Sequence, residues 1–149
     1  MNFSQPDLTL HAPRSPRVQL GGYVTLPRMI DKCRATVATK NGEYHFNCPL
    51  DQRLLTFAGV DAEAFKAVVA TGKGDGELLE WFTANAANKP ADWQIEQWSR
   101  WYSARTVSDV ETREFFNGLH KKYGEKREDI VNWFDLLDLD DYVSFGGKA

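Results

Sequence analysis

The sequence predicts a mainly α fold: a compact single domain of about six or seven short helices with an extended N-terminal arm. Three observations predict it. Apolar residues recur at helical spacing in segment after segment. Pro, Gly, Asp and Ser punctuate those segments where helices start and stop. The connections are short, as in compact helical domains. A chain of 149 residues with 42% hydrophobic content suits one domain and can bury a core without a disulfide or metal.

Residues 1–25 form the arm. Pro6, Pro13 and Pro16 break any helix there, and Leu20-Gly21-Gly22 adds flexible positions. Phe3, Leu8, Leu10, Val18, Leu20 and Tyr23 are too many apolar residues for a free tail, so the arm is expected to pack along the body. In "TLPRMIDKCRATVA" the apolar Leu26, Ile30, Cys33 and Val37 keep helical spacing, with Pro27 in the first turn. Asn41-Gly42 can end that helix through a left-handed cap. The competing reading pairs "ATVAT" with "EYHFN" as one short β-hairpin across Asn41-Gly42. The helix is preferred because the apolar period is nearer 3.6 than 2.

Pro49 opens the next helix, "PLDQRLLTF", and Gly59 closes it. Asp61, Asp75 and Asp92 are expected to cap the three that follow. Ser108 to Glu111, "SDVE", matches a capping box before "TREFFNGLHKKYG", with Gly124 as its stop. "REDIVNWFDLLDLDDYV" is the seventh segment, and residues 144–149 are a flexible end. There is no internal repeat and no linker long enough to divide residues 1–149.

The net charge of −3 argues against a nucleic-acid binder. The charge is uneven. Residues 1–60 carry seven Lys/Arg against four Asp/Glu, and residues 61–149 carry eleven against seventeen. The basic third can meet an acidic ligand or the acidic remainder of its own chain. No secretory leader or apolar span is visible, so a cytoplasmic protein with reduced thiols is expected, off the membrane.

Four basic residues are the most suggestive set. Arg14 and Arg17 flank a rigid Ser-Pro, and Arg28 and Lys32, four apart, share a helix face. Such groups can grip phosphate or carboxylate; the plainer reading is that they tie the arm to the acidic body. Arg34 is assigned to Asp31. Carboxylates for the body come from "DLLDLDD", whose Asp135, Asp138, Asp140 and Asp141 read as a solvated acidic face or as partners for the arm. This run lacks the glycine and final Glu of a calcium loop.

His45 and Cys48 are three apart, with Asp51 behind. Pro49 at the first helical position makes Cys48 an N-cap, where the helix dipole favours thiolate. His45 or Asp51 could then assist a nucleophilic sulfur. Free cysteines more often fill small apolar spaces, and the Cys48 sulfur is expected to face the core. Zinc needs four ligands at paired short spacings. His45 and Cys48, even with Cys33 or His120, lack a second pair, so no metal and no cofactor is expected. "GKGDG" at 72–76 lacks the P-loop spacing and reads as a turn. Trp101 sits beside the Ile95–Trp98–Tyr102 stripe and Trp93 near the helix start; such a stripe reads as core or core edge, and exposure of Trp93 or Trp101 would point to a partner or ligand surface.

The strings "PRSPRVQLGGYVTLPRMIDKCRA", "GEYHFNCPLDQRLLTFAGVDAEAF", "GDGELLEW" and "WFDLLDLDDYVSFGGK" together resemble a small bacterial family known as a domain of unknown function, the one numbered 5069. The resemblance implies a stand-alone, cytosolic bacterial domain and carries no activity, cofactor or catalytic residue with it.

Two functions follow from the residues. One is a non-enzymatic binding domain in which Arg14, Arg17, Arg28 and Lys32 hold a small anionic ligand or an acidic protein segment. The alternative is a small enzyme with Cys48 as nucleophile. A monomer or a homodimer fits either, with exposed aromatic surface favouring the homodimer.

Overall fold

The computed structural model describes residues 2–149. Its element order is β1 (Gln19–Leu20), β2 (Tyr23–Val24), α1 (Leu26–Val37), α2 (Pro49–Ala58), α3 (Ala62–Val69), α4 (Asp75–Asn85), α5 (Asp92–Ser103), α6 (Val110–Gly124) and α7 (Trp133–Ser144). The mainly α expectation, with seven helices, is met.

Helix α1 is the centre. Residues 26–35 are all buried. One side of the helix is apolar: Leu26, Met29, Ile30 and Cys33 pack with Leu54 of α2, Phe65 of α3 and Phe82 of α4. Another side is charged, and Arg28, Asp31, Lys32 and Arg34 are buried too. Charges survive burial only when paired, and each of these four is paired. A second cluster, Phe116, Ile130, Leu136 and Leu139, holds α6 against α7. A third, Val24, Tyr102 and Phe134, joins β2, α5 and α7.

The arm lies on the body, as its apolar content suggested. Leu8 is buried, and its amide donates to the Lys40 carbonyl at 2.9 Å. Phe3, Leu10 and Val18 stay exposed, so only part of the arm's apolar surface serves the packing.

The hairpin is not at Asn41-Gly42. It forms one segment earlier, where Gln19 pairs with Val24 and Leu20 with Tyr23. Gly21 and Gly22 both have positive φ, 58° and 81°, as a type I′ hairpin turn requires. The Asn41-Gly42 turn is used differently. Gly42 passes so close to the arm that a Cβ there would lie 2.8 Å from the Leu8 carbonyl oxygen. The Lys40 carbonyl is thus bonded by the arm, and "ATV" stays in α1, which ends earlier than expected through Thr39 at φ 56°.

Several caps also shift. Asp61 caps α3 through the Ala64 amide at 2.8 Å, as expected. Asp75 and Asp92 are the first helical residues rather than N-caps. Glu77 and Gln94 instead reach back to the Gly74 and Ala91 amides. The Ser108–Glu111 box is replaced by Asp109, which accepts from the Thr112 amide at 2.8 Å. Helix α7 starts only at Trp133, where Asn132 and Asp135 cap each other's amides.

Asp75 is free of cap duty because two arginines claim it. Arg14 Nη1 reaches Oδ2 at 2.6 Å and Arg34 Nη1 reaches Oδ1 at 2.7 Å. Burial works against the Asp75 anion, but the two guanidiniums outweigh it and hold the carboxyl below its ordinary 3.8. A carboxyl lowered by folding adds stability that is complete above its unfolded value and lost as pH falls through the folded one. Urea midpoints taken from pH 7 to pH 2 are therefore expected to drop below about pH 4. Asp75→Asn should make that drop shallower; an unchanged acid slope would mean the Arg14–Asp75–Arg34 cluster does not form.

Candidate functional site

The site is built outward from the charged side of α1. Arg28 and Lys32 stand one turn apart, so both reach the same side of the helix. Arg28 meets α7: Nη1 lies 2.6 Å from Asp141 Oδ2 and Nη2 lies 3.1 Å from Oδ1. The Tyr44 hydroxyl donates to the same carboxylate at 2.7 Å, and the Arg28 guanidinium sits 5.5 Å from the Tyr44 ring centroid. Burial first, then the Asp141 charge, push the Tyr44 hydroxyl up, so it stays a donor.

Lys32 meets α2. Its ammonium is 2.8 Å from Asp51 Oδ1, with both side chains almost fully buried. The other Asp51 oxygen accepts from the Asn47 amide at 2.9 Å. The same ammonium lies 3.2 Å from Cys48 Sγ. Cys48 is the N-cap of α2, as Pro49 predicted, yet its side chain makes no cap bond.

Arg28, Lys32, Tyr44 and Cys48 border a cleft of about 780 Å³ between the arm, the loop 42–48 with the start of α2, and the α6–α7 pair. Arg28, Lys32, Tyr44, His45 and Cys48 line one part of it; Lys122, Tyr123, Leu137 and Asp140 line the other. Its volume is that of a small-molecule site, roughly 300–1,000 Å³. Cys48 is half-buried and opens on this cleft, so the expectation that its sulfur faces the core is corrected. The Lys32 ammonium lies beside the sulfur, and Cys33 is the cysteine in the core. Burial pushes the Cys33 thiol up to about 12.

Of the residues singled out in the sequence, Arg28, Lys32, His45 and Cys48 converge on the cleft, with Asp51 behind Lys32. Arg14 and Arg17 do not line it. Arg14 makes a two-pronged bond to Asp31, at 2.9 and 2.8 Å, and a third to Asp75. Arg17 pairs with Asp135 and with Asp138, the latter at 3.2 Å. Both tie the arm to the body. The assignment of Arg34 to Asp31 is also corrected: Arg14 takes Asp31, and Arg34 goes to Asp75 and to the Phe3 and Lys73 carbonyls. Among the described residues, no three His, Cys, Asp or Glu side chains are placed to hold a metal ion. Lys122 and Tyr123 were not found from the sequence. They come from α6, and only the packing of α6 on α7 brings them to the cleft. Trp93 and Trp101 are more than half exposed, away from this site, which corrects the core reading for these two rings.

Among the described residues, no helix is long and apolar enough to cross a membrane. A family model described as "Domain of unknown function (DUF5069)" matches residues 10–143 of the 149. No curated protein matches the sequence.

The two thiols should behave differently. In native protein, a thiol-specific reagent is expected to label Cys48 and spare Cys33 until urea unfolds the chain. Equal labelling of both, or of neither, would contradict the placement of Cys48 at the cleft.

Proposed function

The chain belongs to this domain-of-unknown-function family, whose name assigns no activity, and we propose from the cleft itself that it is a non-enzymatic binding domain for a small anionic ligand. One observation carries the reading: two buried cations on a single turn of α1, Arg28 and Lys32, border a cleft of ligand size. Both cations are fixed by carboxylates behind them, Asp141 and Asp51. Their side chains are thus ordered before a ligand arrives, which lowers the entropic cost of binding. Tyr123 adds a hydroxyl, and Lys122 and His45 supply groups from the exposed rim. Arg14 and Arg17 serve this reading indirectly, by holding the arm that forms one wall.

Calorimetric titration with a panel of small phosphates and carboxylates tests it. At least one member should bind, and Lys122→Ala should weaken that binding by about tenfold, the worth of one charged hydrogen bond. Lys122 is exposed, so the variant should fold as the parent does. A panel with no binder, or equal affinity in the variant, would remove the anion site.

A second reading has its own observation, the Lys32 ammonium 3.2 Å from Cys48 Sγ at the start of α2. A positive group and a helix N-terminus beside a cleft-facing thiol are the surroundings of nucleophilic cysteines. On this reading Lys32, rather than His45 or Asp51, assists the sulfur. Iodoacetamide should then alkylate Cys48 faster than free cysteine at neutral pH; a rate at or below that of free cysteine would set the enzyme reading aside.

A further inference from the structure

A second cavity adjoins the cleft. It is a groove of about 410 Å³ between the first turns of α2 and the α6–α7 pair, and it shares Cys48, Leu50, Leu137 and Asp140 with the cleft. Beyond that shared end its walls are Phe115, Leu119, Trp133 and Leu136. Phe115 is 61% exposed, an unusual position for a phenyl ring beside other apolar groups. Trp133 is held in place by its indole N–H, which donates to the Thr106 carbonyl at 3.2 Å.

Two arginines border this apolar groove, Arg53 from α2 and Arg105 from the turn after α5. Among the described residues, neither guanidinium has an ion-pair partner. This separates them from Arg14, Arg28 and Arg34, each of which faces a carboxylate. Arg105 is half-buried; burial, and then the like charge of Arg53, pull its guanidinium below the ordinary value. A pair of like charges beside an apolar surface is costly in the free protein, and an anion placed between them relieves that cost. Arginine also offers a planar fork that suits a carboxylate.

We propose that the groove binds an amphipathic monocarboxylate, with its aliphatic chain against Phe115, Leu119, Trp133 and Leu136 and its carboxylate between Arg53 and Arg105. The charge complementarity selects an anionic head, the apolar walls select a chain, and the volume falls within the small-ligand range of roughly 300–1,000 Å³. The site does not depend on the reading of the cleft, because Arg28, Lys32, His45 and Lys122 take no part in it.

Titration of ¹⁵N-labelled protein with octanoate, 1-octanol and acetate, followed at the Trp133 indole N–H, tests the assignment. Octanoate should move that signal and saturate. Acetate, which lacks the chain, and octanol, which lacks the charge, should each bind at least about tenfold more weakly. Arg53→Ala and Arg105→Ala should cost octanoate a similar factor while leaving the amide spectrum otherwise folded. The proposal is overturned if octanoate leaves the Trp133 signal in place, or if octanol binds as well as octanoate. It is equally overturned if the arginine variants bind like the parent, or if the groove signals of the free protein depend on protein concentration, which would assign the groove to a second copy of the chain.

Discussion

Helix α1 buries four charged side chains, and each is answered from a different part of the chain. Arg28 meets Asp141 of α7, Asp31 meets Arg14 of the arm, Lys32 meets Asp51 of α2, and Arg34 meets Asp75 of α4. Apolar contacts also surround α1, but they are not directional and tolerate sliding. Ion pairs out of water are less forgiving. Losing one partner leaves a desolvated charge and costs about 3–5 kcal/mol, although an apolar replacement of both can be nearly neutral. Their contribution here is therefore to position: they fix where the arm, α2, α4 and α7 sit around the central helix.

The cleft follows from that arrangement. Two of the four pairs, Arg28–Asp141 and Lys32–Asp51, tie α7 and α2 to α1 and keep their cations on the cleft border. The arm, anchored by Arg14 and Arg17, brings Leu8 and Thr9 to its edge. Cys48 lies at the junction of cleft and groove, 3.2 Å from the same Lys32 ammonium that pairs with Asp51. The residues best suited to meet a ligand are thus the same ones that hold the fold, and a variant at Arg28 or Lys32 alters both.

Much of this was legible locally. The spacing of Leu26, Ile30 and Cys33 marked the buried side of α1, and the four-residue interval put Arg28 and Lys32 together. Pro49 identified Cys48 as a helix start. The acidic run at 135–141 was readable as a partner for the basic arm, and Asp135 and Asp138 take that part through Arg17, while Asp141 pairs with Arg28 of α1. What was not legible depends on contacts across long stretches of chain. Asp31 and Arg34 are three apart and looked like a pair, but Arg14 reaches Asp31 from 17 residues away. Gly21-Gly22 reads as loose chain because Asn41-Gly42 is the stronger hairpin pattern, yet the backbone beside Asn41-Gly42 meets the arm instead. The Lys32 ammonium beside the Cys48 sulfur comes from 16 residues away, which no local pattern could place there.

The most direct measurement is a double-mutant cycle between Arg28 and Asp141, using Arg28→Met and Asp141→Leu with urea unfolding of the parent, both single variants and the pair. If α1 positions its neighbours through buried charge, the coupling is about 2 kcal/mol or more, with the double variant more stable than the single losses would sum to. Coupling within about 0.5 kcal/mol of zero would contradict the account, since two residues bound to each other cannot behave as independent sites.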